Sequence, residues 1–351
     1  MMALSRDMKW IIAAGLLLGV FGSLLAFWGN PPNTGICISC FLENSAGALG
    51  LHNDVRMRYF RPELTAFILG SFLAAIAKGE FKARSSGSGL GGFTLGFLMI
   101  VGSAVFIGCP IKLILRLAGG DLTALSGLFG LIAGVTVGLQ SLRGPDIKIF
   151  GSSRDGSNPL AFAVLGATLL LTVLGATGYL LKSKTGGGAM HAPTYMSLLA
   201  GLLLGAICQR SRFCVTGSLR DVILTHSPKA GLGLYFAFGG ALLANILTGQ
   251  FNPGYFDQPG AHLEPLWGFA GMALTGWAAV LAGGCPFRQL IKAGEGDLDG
   301  WMITVGMLSG ATAVQLWNLD ASSAGVTAQG KAAVLIGFAL LASFSNSRRR
   351  V

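Results

Sequence analysis

The sequence predicts an all-α polytopic membrane protein, an inverted structural repeat of about ten transmembrane helices and four short re-entrant half-helices. Three observations carry that expectation: an apolar composition, ten recurring apolar runs, and a set of short motifs that occurs twice. Of 351 residues, 52% are hydrophobic, 54 are Gly and only 11% are charged, where a soluble domain carries about 25% charged residues. The mean hydropathy is +0.64. So little polar surface excludes an ordinary soluble domain and calls for lipid as the main solvent.

In chain order the apolar runs cover residues 10–28, 62–78, 90–107, 122–142, 159–181, 195–208, 229–249, 265–283, 298–317 and 331–345. Each is long enough, or nearly so, to cross about 30 Å of hydrocarbon as a helix. Leu, Ala, Gly and Phe dominate, and the two-residue alternation of a β-barrel strand is missing. The first run is expected to stay in the protein. It is too long for a signal peptide, and Phe27-Trp28-Gly29-Asn30-Pro31 does not resemble a small-x-small cleavage site.

Lys and Arg sort with this count. If the N-terminus lies inside, the inner loops hold Arg6, Lys9, Lys78, Lys82, Arg84, Arg143, Lys148, Arg154, Lys229 and Arg348 to Arg350, while the outer loops hold Arg56, Arg58, Arg61, Lys182, Lys184 and Lys331. The inside excess predicts that both termini are cytoplasmic. It also accounts for the net charge of +10 without a nucleic-acid partner.

Self-comparison finds the repeat. Ile36-Cys37-Ile38-Ser39-Cys40-Phe41-Leu42-Glu43-Asn44 aligns with Phe213-Cys214-Val215-Thr216-Gly217-Ser218-Leu219-Arg220-Asp221, 177 positions on. Gly108-Cys109-Pro110 recurs as Gly284-Cys285-Pro286, and Gly120-Asp121-Leu122 as Gly296-Asp297-Leu298, both at 176. Gly15-Leu16-Leu17-Leu18-Gly19 returns as Gly201-Leu202-Leu203-Leu204-Gly205. The expected organisation is one membrane domain, 1–351, made of repeat 1 (10–142), a linking helix (159–181), repeat 2 (195–317) and a final helix (331–345). Four crossings per copy and a single linking span invert the second copy, which puts a pseudo-two-fold axis in the membrane plane and a shared site near mid-membrane.

Six cysteines stand at 37, 40, 109, 208, 214 and 285. Cys often fills a core as a small apolar residue, and that reading suffices for Cys40 and Cys208, which are secondary candidates. Cys37, Cys109, Cys214 and Cys285 are pairwise equivalent at two separate motifs, and packing alone gives no reason to keep Cys at both. Cys109 and Cys285 each follow Gly and precede Pro, a residue suited to the first position of a helix. The helices that follow, 111–118 and 287–293, are too short to span. They are expected to be half-helices whose N-terminal N–H groups face a buried anion. Lys112 and Arg116 lie beside one, Arg288 and Lys292 beside the other, and Arg210 and Arg212 precede Cys214. A cation inside a membrane either snorkels or serves a polar path, and Lys112, Arg212 and Arg288 are the candidates for supporting an anion site.

No cofactor or metal is expected. Cys37-x-x-Cys40 is a weak metal or redox signal, and Gly217 replaces the second Cys in the other copy. Phosphate-loop, zinc-protease and nucleophile-elbow motifs are missing, so no catalytic residue is assigned and an enzyme is not expected. The reading from a different class is a membrane thiol or redox enzyme that uses Cys37 and Cys40. His52 and His191 fall in loops, and Glu43, Asp121, Asp297 and Glu295 fall at segment ends.

Residues 33–41, 116–122, 190–193, 209–214 and 283–290 together resemble the YeeE/YedE sulfur-transport family, and within it the branch called selenium metabolism protein YedE. The resemblance covers nearly the whole chain. It implies a multi-pass transporter of the bacterial inner membrane that takes up a selenium- or sulfur-containing anion, with a selenium compound first and a thiosulfate-like ion next. It further implies that thiols along the central pathway pass the anion through S–H contacts to its sulfur, a role that falls on Cys109 and Cys285, then on Cys37 and Cys214. A small sulfur-carrier protein of the SirA/TusA type is the partner it suggests.

Overall fold

The computed structural model describes residues 6–86, 89–142, 154–155 and 159–347. Its helices in chain order are α1 (Arg6–Phe27), α2 (Ile38–Ala48), α3 (Pro62–Ala77), α4 (Gly89–Phe106), α5 (Pro110–Ala118), α6 (Ala124–Ser141), α7 (Pro159–Thr177), α8 (Thr194–Ser211), α9 (Val215–Thr225), α10 (Leu232–Leu247), α11 (Pro265–Leu281), α12 (Pro286–Gly294), α13 (Leu298–Leu316) and α14 (Ala328–Ser347). The chain is an all-α polytopic membrane protein. Eight of its ten apolar runs form helices long and apolar enough to cross a membrane. The other two form α3, which is apolar but shorter, and α13, which carries Asp299 in its first turn. Helices α2, α5, α9 and α12 have 9 or 11 residues, about 14–17 Å of rise, roughly half the hydrocarbon thickness.

Loop contacts define two faces. On one, called here the Asn33 face, Leu181 N donates to Ala48 O, Gly188 N to Arg56 O and Asn252 N to Gly119 O. On the other, the Glu80 face, Lys82 N donates to Glu295 O, Arg84 N to Gly296 O, and Gln209 Nε2 to Glu80 at 2.8 Å. Helices α2 and α5 therefore emerge on the Asn33 face and α9 and α12 on the Glu80 face, with all four N-termini pointing inward. Lys78, Lys82, Arg84 and Lys229 lie on the Glu80 face, opposite Arg56, Arg58, Lys182, Lys184 and Lys331. Arg143, Lys148 and Arg348 to Arg350 lie outside the described residues.

The long helices pair across the two halves of the sequence. Helix α1 packs on α10 as α3 packs on α8, α4 on α13 as α6 on α11, and α4 meets α11 and α1 meets α8 at the centre. Exchanging each helix of the first half for its counterpart in the second turns the first four pairs into one another and returns the two central pairs to themselves. The outer helices depart from that pattern, since α7 packs on α3 whereas α14 packs on α11 and α4. Glycine makes the crossings close. A Cβ on Gly70 would overlap Leu202 O, on Gly205 Phe67 O, on Gly96 Ile303 O, and on Gly134 Ala273 O. Without a hydrophobic force between helices in lipid, such close packing holds the bundle.

Candidate functional site

Each half-helix begins at one of the four paired cysteines. Cys37, Cys109, Cys214 and Cys285 are the N-caps of α2, α5, α9 and α12 in extended backbone, and Pro110 and Pro286 occupy the first helical position. The sulfurs of Cys37 and Cys214 accept from the N–H three residues on, Cys40 N and Gly217 N, each at 3.4 Å. A helix start leaves four N–H groups unmatched, so four such starts supply a concentrated set of donors at the centre.

The glycine of each Gly-Cys-Pro motif has a specific use. The side chains of Lys112 and Arg288 fold back over Gly108 and Gly284, where a Cβ would come within 2.7 Å of Lys112 Cδ or 2.8 Å of Arg288 Cγ. The residue before that glycine sits in the left-handed region in both halves, at φ 60° for Ile107 and 74° for Gly283. A β-branched residue is disfavoured there, so the break between α4 and α5 stores strain that the break between α11 and α12 avoids. The Gly-Asp-Leu motif closes each half-helix. Gly120 and Gly296 turn at φ 95° and 91°, and the aspartate after each accepts backbone N–H groups, Thr123 N on Asp121 and Asp299 N with Gly300 N on Asp297.

The thiols gather into two clusters. Toward the Asn33 face, Cys37 Sγ lies 2.7 Å from Cys40 Sγ and 3.3 Å from Ser39 Oγ, and Ile38 N donates to Cys109 Sγ at 3.3 Å. Toward the Glu80 face, Cys214 Sγ lies 3.4 Å from Cys285 Sγ and accepts from Cys285 N at 3.3 Å. All six cysteines are free, and only Cys40 is not buried. Cys208 is fully buried in α8. Among the described residues no group of three or more His, Cys, Asp or Glu is placed to hold a metal ion.

A cavity leads to each cluster. One of about 300 Å³ opens on the Asn33 face between Pro32, Thr34, Cys40, Arg61, Lys112 and Gly260. Another of about 280 Å³ opens on the Glu80 face between Arg212, Cys214, Thr216, Arg220, Lys229 and Arg288. Lys112 is 2% exposed, and among the described residues no carboxylate lies within ion-pair distance of it. Its counterpart Arg288, also buried, pairs with Glu295 at 3.0 Å, yet among the described residues its Nη1 has no partner, nor has the Thr216 hydroxyl that lines the same cavity. Arg212 stands at the cavity mouth, exposed, 3.5 Å from Glu80. A larger apolar groove, about 560 Å³ between α4 and α14, carries no charged lining and lies away from the thiols.

Two cations are structural. Arg116 pairs with Asp121 at 2.6 Å and donates to Phe106 O and Thr123 Oγ1. Arg61, counted with the outer loops from sequence, is buried, donating to Asn44 Oδ1, Asn30 Oδ1, Gly187 O and Met190 O under the rings of Phe41 and Tyr59. Sequence reasoning missed that role and the buried carboxylate Glu63, held by Ser197 Oγ at 2.7 Å, and it set Glu43 at a segment end, whereas Glu43 is buried within α2 and held by Gln315 Nε2 at 3.0 Å. Their signal was adjacency to Pro62 at a helix start and to the Cys37 motif. Outside the spans, Arg56 beside Asp54 holds that carboxyl below the usual carboxylate range.

Residues 210–343 match the family described as Sulphur transport. The chain is 28% identical over 174 residues to a protein of Salmonella typhimurium named probable transporter YedE, covering 48% of this chain and 40% of that one. It is 31% identical over 120 residues to the thiosulfate transporter TsuA of Escherichia coli, 32% of each chain, and 28% identical over 107 residues to the thiosulfate transporter TsuA of Spirochaeta thermophila, 30% and 32%. The chain thus spans about a third to two fifths of the length of these curated relatives. Over these segments the chain is similar to the sulfur-transport family and to the YedE and TsuA transporters.

Proposed function

We propose that this protein carries a small sulfur- or selenium-containing anion across the bacterial inner membrane, along a path from the Asn33-face cavity past Cys37 and Cys109 to Cys285, Cys214 and the Glu80-face cavity. The observation that carries this reading is the convergence of four cysteine-capped half-helix N-termini between two cavities. Inward N-termini favour an anion. Arg288 Nη1 and the Thr216 hydroxyl are buried without a partner among the described residues, and buried Lys112 has no carboxylate within ion-pair distance among them, a costly arrangement inside a membrane unless a ligand uses it. A neutral thiol is a weak donor with a soft sulfur, suited to the polarizable sulfur or selenium of such an ion. Weak successive contacts let it enter and leave.

The relation of the two halves supports an inverted repeat, and the loop cations support a cytoplasmic Glu80 face with both termini on that side. The names of the two TsuA relatives favour a thiosulfate-like ion, and the resemblance of the motifs to the selenium branch favours its selenium analogue. A SirA/TusA-like carrier would collect cargo at the Arg220 and Lys229 side. Uptake of radiolabelled thiosulfate and selenite, with cross-competition, tests this in cells expressing wild type or Cys109→Ala/Cys285→Ala. The expected outcome is saturable uptake of at least one ion that falls at least about tenfold in the double variant, roughly the worth of one lost contact. Unchanged uptake in a correctly inserted double variant defeats the cysteine path.

A further inference from the structure

Cys40 is one of two thiols, with Cys208, that have no counterpart in the other half. Cys40 stands where repeat 2 carries Gly217, and its sulfur lies 2.7 Å from Cys37 Sγ. The two occupy the N-cap and third position of α2, neighbours on one edge of a helical turn and within reach of disulfide geometry. Cys40 lines the Asn33-face cavity, whereas Cys37 is fully buried behind it. We propose that Cys37 and Cys40 form a thiol–disulfide exchange site for small disulfides entering from the Asn33 face, and that its oxidation closes that half of the path.

The chemistry runs in two exchanges. The Cys40 thiolate attacks one sulfur of a small dialkyl disulfide, forming a mixed disulfide and releasing one alkyl thiolate. Cys37, its proton lost to water, then attacks the Cys40 sulfur, forming the Cys37–Cys40 bond and releasing the second alkyl thiolate. The two thiolates take up the two protons, so the protein loses two electrons and the reagent gains them. Cys40 N and Ser39 Oγ, at 3.4 and 3.3 Å, are placed to hold charge on Cys37 during the exchange. Oxidised Cys37 has no S–H to offer an anion. Cys214 and Cys285 also lie close, but on two separate helices and toward the face assigned to the reducing cytoplasm. The gating half of the proposal rests on the transport reading, while the exchange site does not.

The test exposes purified full-length protein to bis(2-hydroxyethyl) disulfide and maps its thiols by mass spectrometry after digestion. The expected result is a Cys37–Cys40 disulfide in wild type, a stable mixed disulfide on Cys40 in Cys37→Ala, and neither in Cys40→Gly. In proteoliposomes, the reagent should lower wild-type thiosulfate or selenite uptake at least tenfold, dithiothreitol should restore it, and the ratio of treated to untreated uptake in Cys40→Gly should stay near one. Free Cys37 and Cys40 under conditions that oxidise an exposed control thiol, or a Cys214–Cys285 link in their place, overturns the exchange site. A mapped Cys37–Cys40 disulfide with undiminished uptake overturns the gate. If the reduced protein takes up neither ion, the transport reading fails while the mapping still decides the exchange site.

Discussion

The two cysteine clusters share a backbone and differ in charge. Near Cys37 and Cys109, Lys112 faces a cavity with no carboxylate at hand among the described residues. Near Cys214 and Cys285, the matching Arg288 is tied to Glu295, which also meets Arg84 at 3.3 Å. One step along each half-helix the order reverses. Arg116 is sealed against Asp121, while Lys292 is 3.8 Å from Asp297 and partly exposed. The first half has thus one cation sealed by a carboxylate and one left facing a cavity, while the second joins both to one acidic cluster at the Glu80 face. The difference teaches that backbone donors set the position of the site while its depth on each side is set by which cation keeps a counter-ion.

The largest effect is expected at the structural pair. Arg116→Met should destabilise the fold by about 3–5 kcal/mol, because Asp121 is left buried and uncompensated, whereas Lys292→Met should cost about 1 kcal/mol or less. Thermal unfolding in detergent measures both, and equal losses would break the comparison. Next comes the path. Lys112→Met should raise KM for the transported anion about tenfold, the scale of one charge-assisted hydrogen bond, while Arg288→Met should raise it about threefold, since Glu295 already offsets that charge. The reverse order, read from uptake kinetics, would place the deeper well on the Glu80 face.

The smallest effect concerns the rims, where Lys331 meets Glu264 at 2.7 Å on one face and Arg212 meets Glu80 at 3.5 Å on the other. Lys331 and the N–H of Val326 hold the Glu264 carboxyl below the usual carboxylate range. A depressed carboxylate contributes stability above its unfolded pKa of about 4.3 and loses it as the pH falls through its folded value. The Tm of Glu264→Gln should therefore lie slightly below wild type near neutral pH and converge with it in acid. A gap that persists in acid would assign the contribution to packing.

The half-helices were legible because Gly-Cys-Pro and Gly-Asp-Leu are local instructions: proline starts the helix, glycine makes the turn, and aspartate accepts free N–H groups ahead of the next helix, as the cap of α13 for Asp297 and from Thr123 N before α6 for Asp121. The doubled motifs stand out in the sequence for the same reason. What could not be read was who faces whom. The pairing of α1 with α10, and of α3 with α8, depends on carbonyl contacts of Gly15, Gly19, Gly70 and Gly205 that carry no partner in their own segment. Arg61 read as a loop cation because its acceptors, Gly187 O and Met190 O, arrive from more than a hundred residues away. Cys40 has no counterpart in the other half, and its closeness to Cys37 shows only when the first turn of α2 is built.

Cross-pairing has a consequence for biosynthesis. Each major helix of the first half finds its main partner in the second, so a nascent chain must park glycine-faced helices in lipid until the matching segment leaves the ribosome. More than two hundred residues separate α1 from α10, on the order of ten to forty seconds of translation. Neither half has a completed bundle of its own to fold into, and two fragments divided between α6 and α7 should survive in the membrane only when both are expressed together.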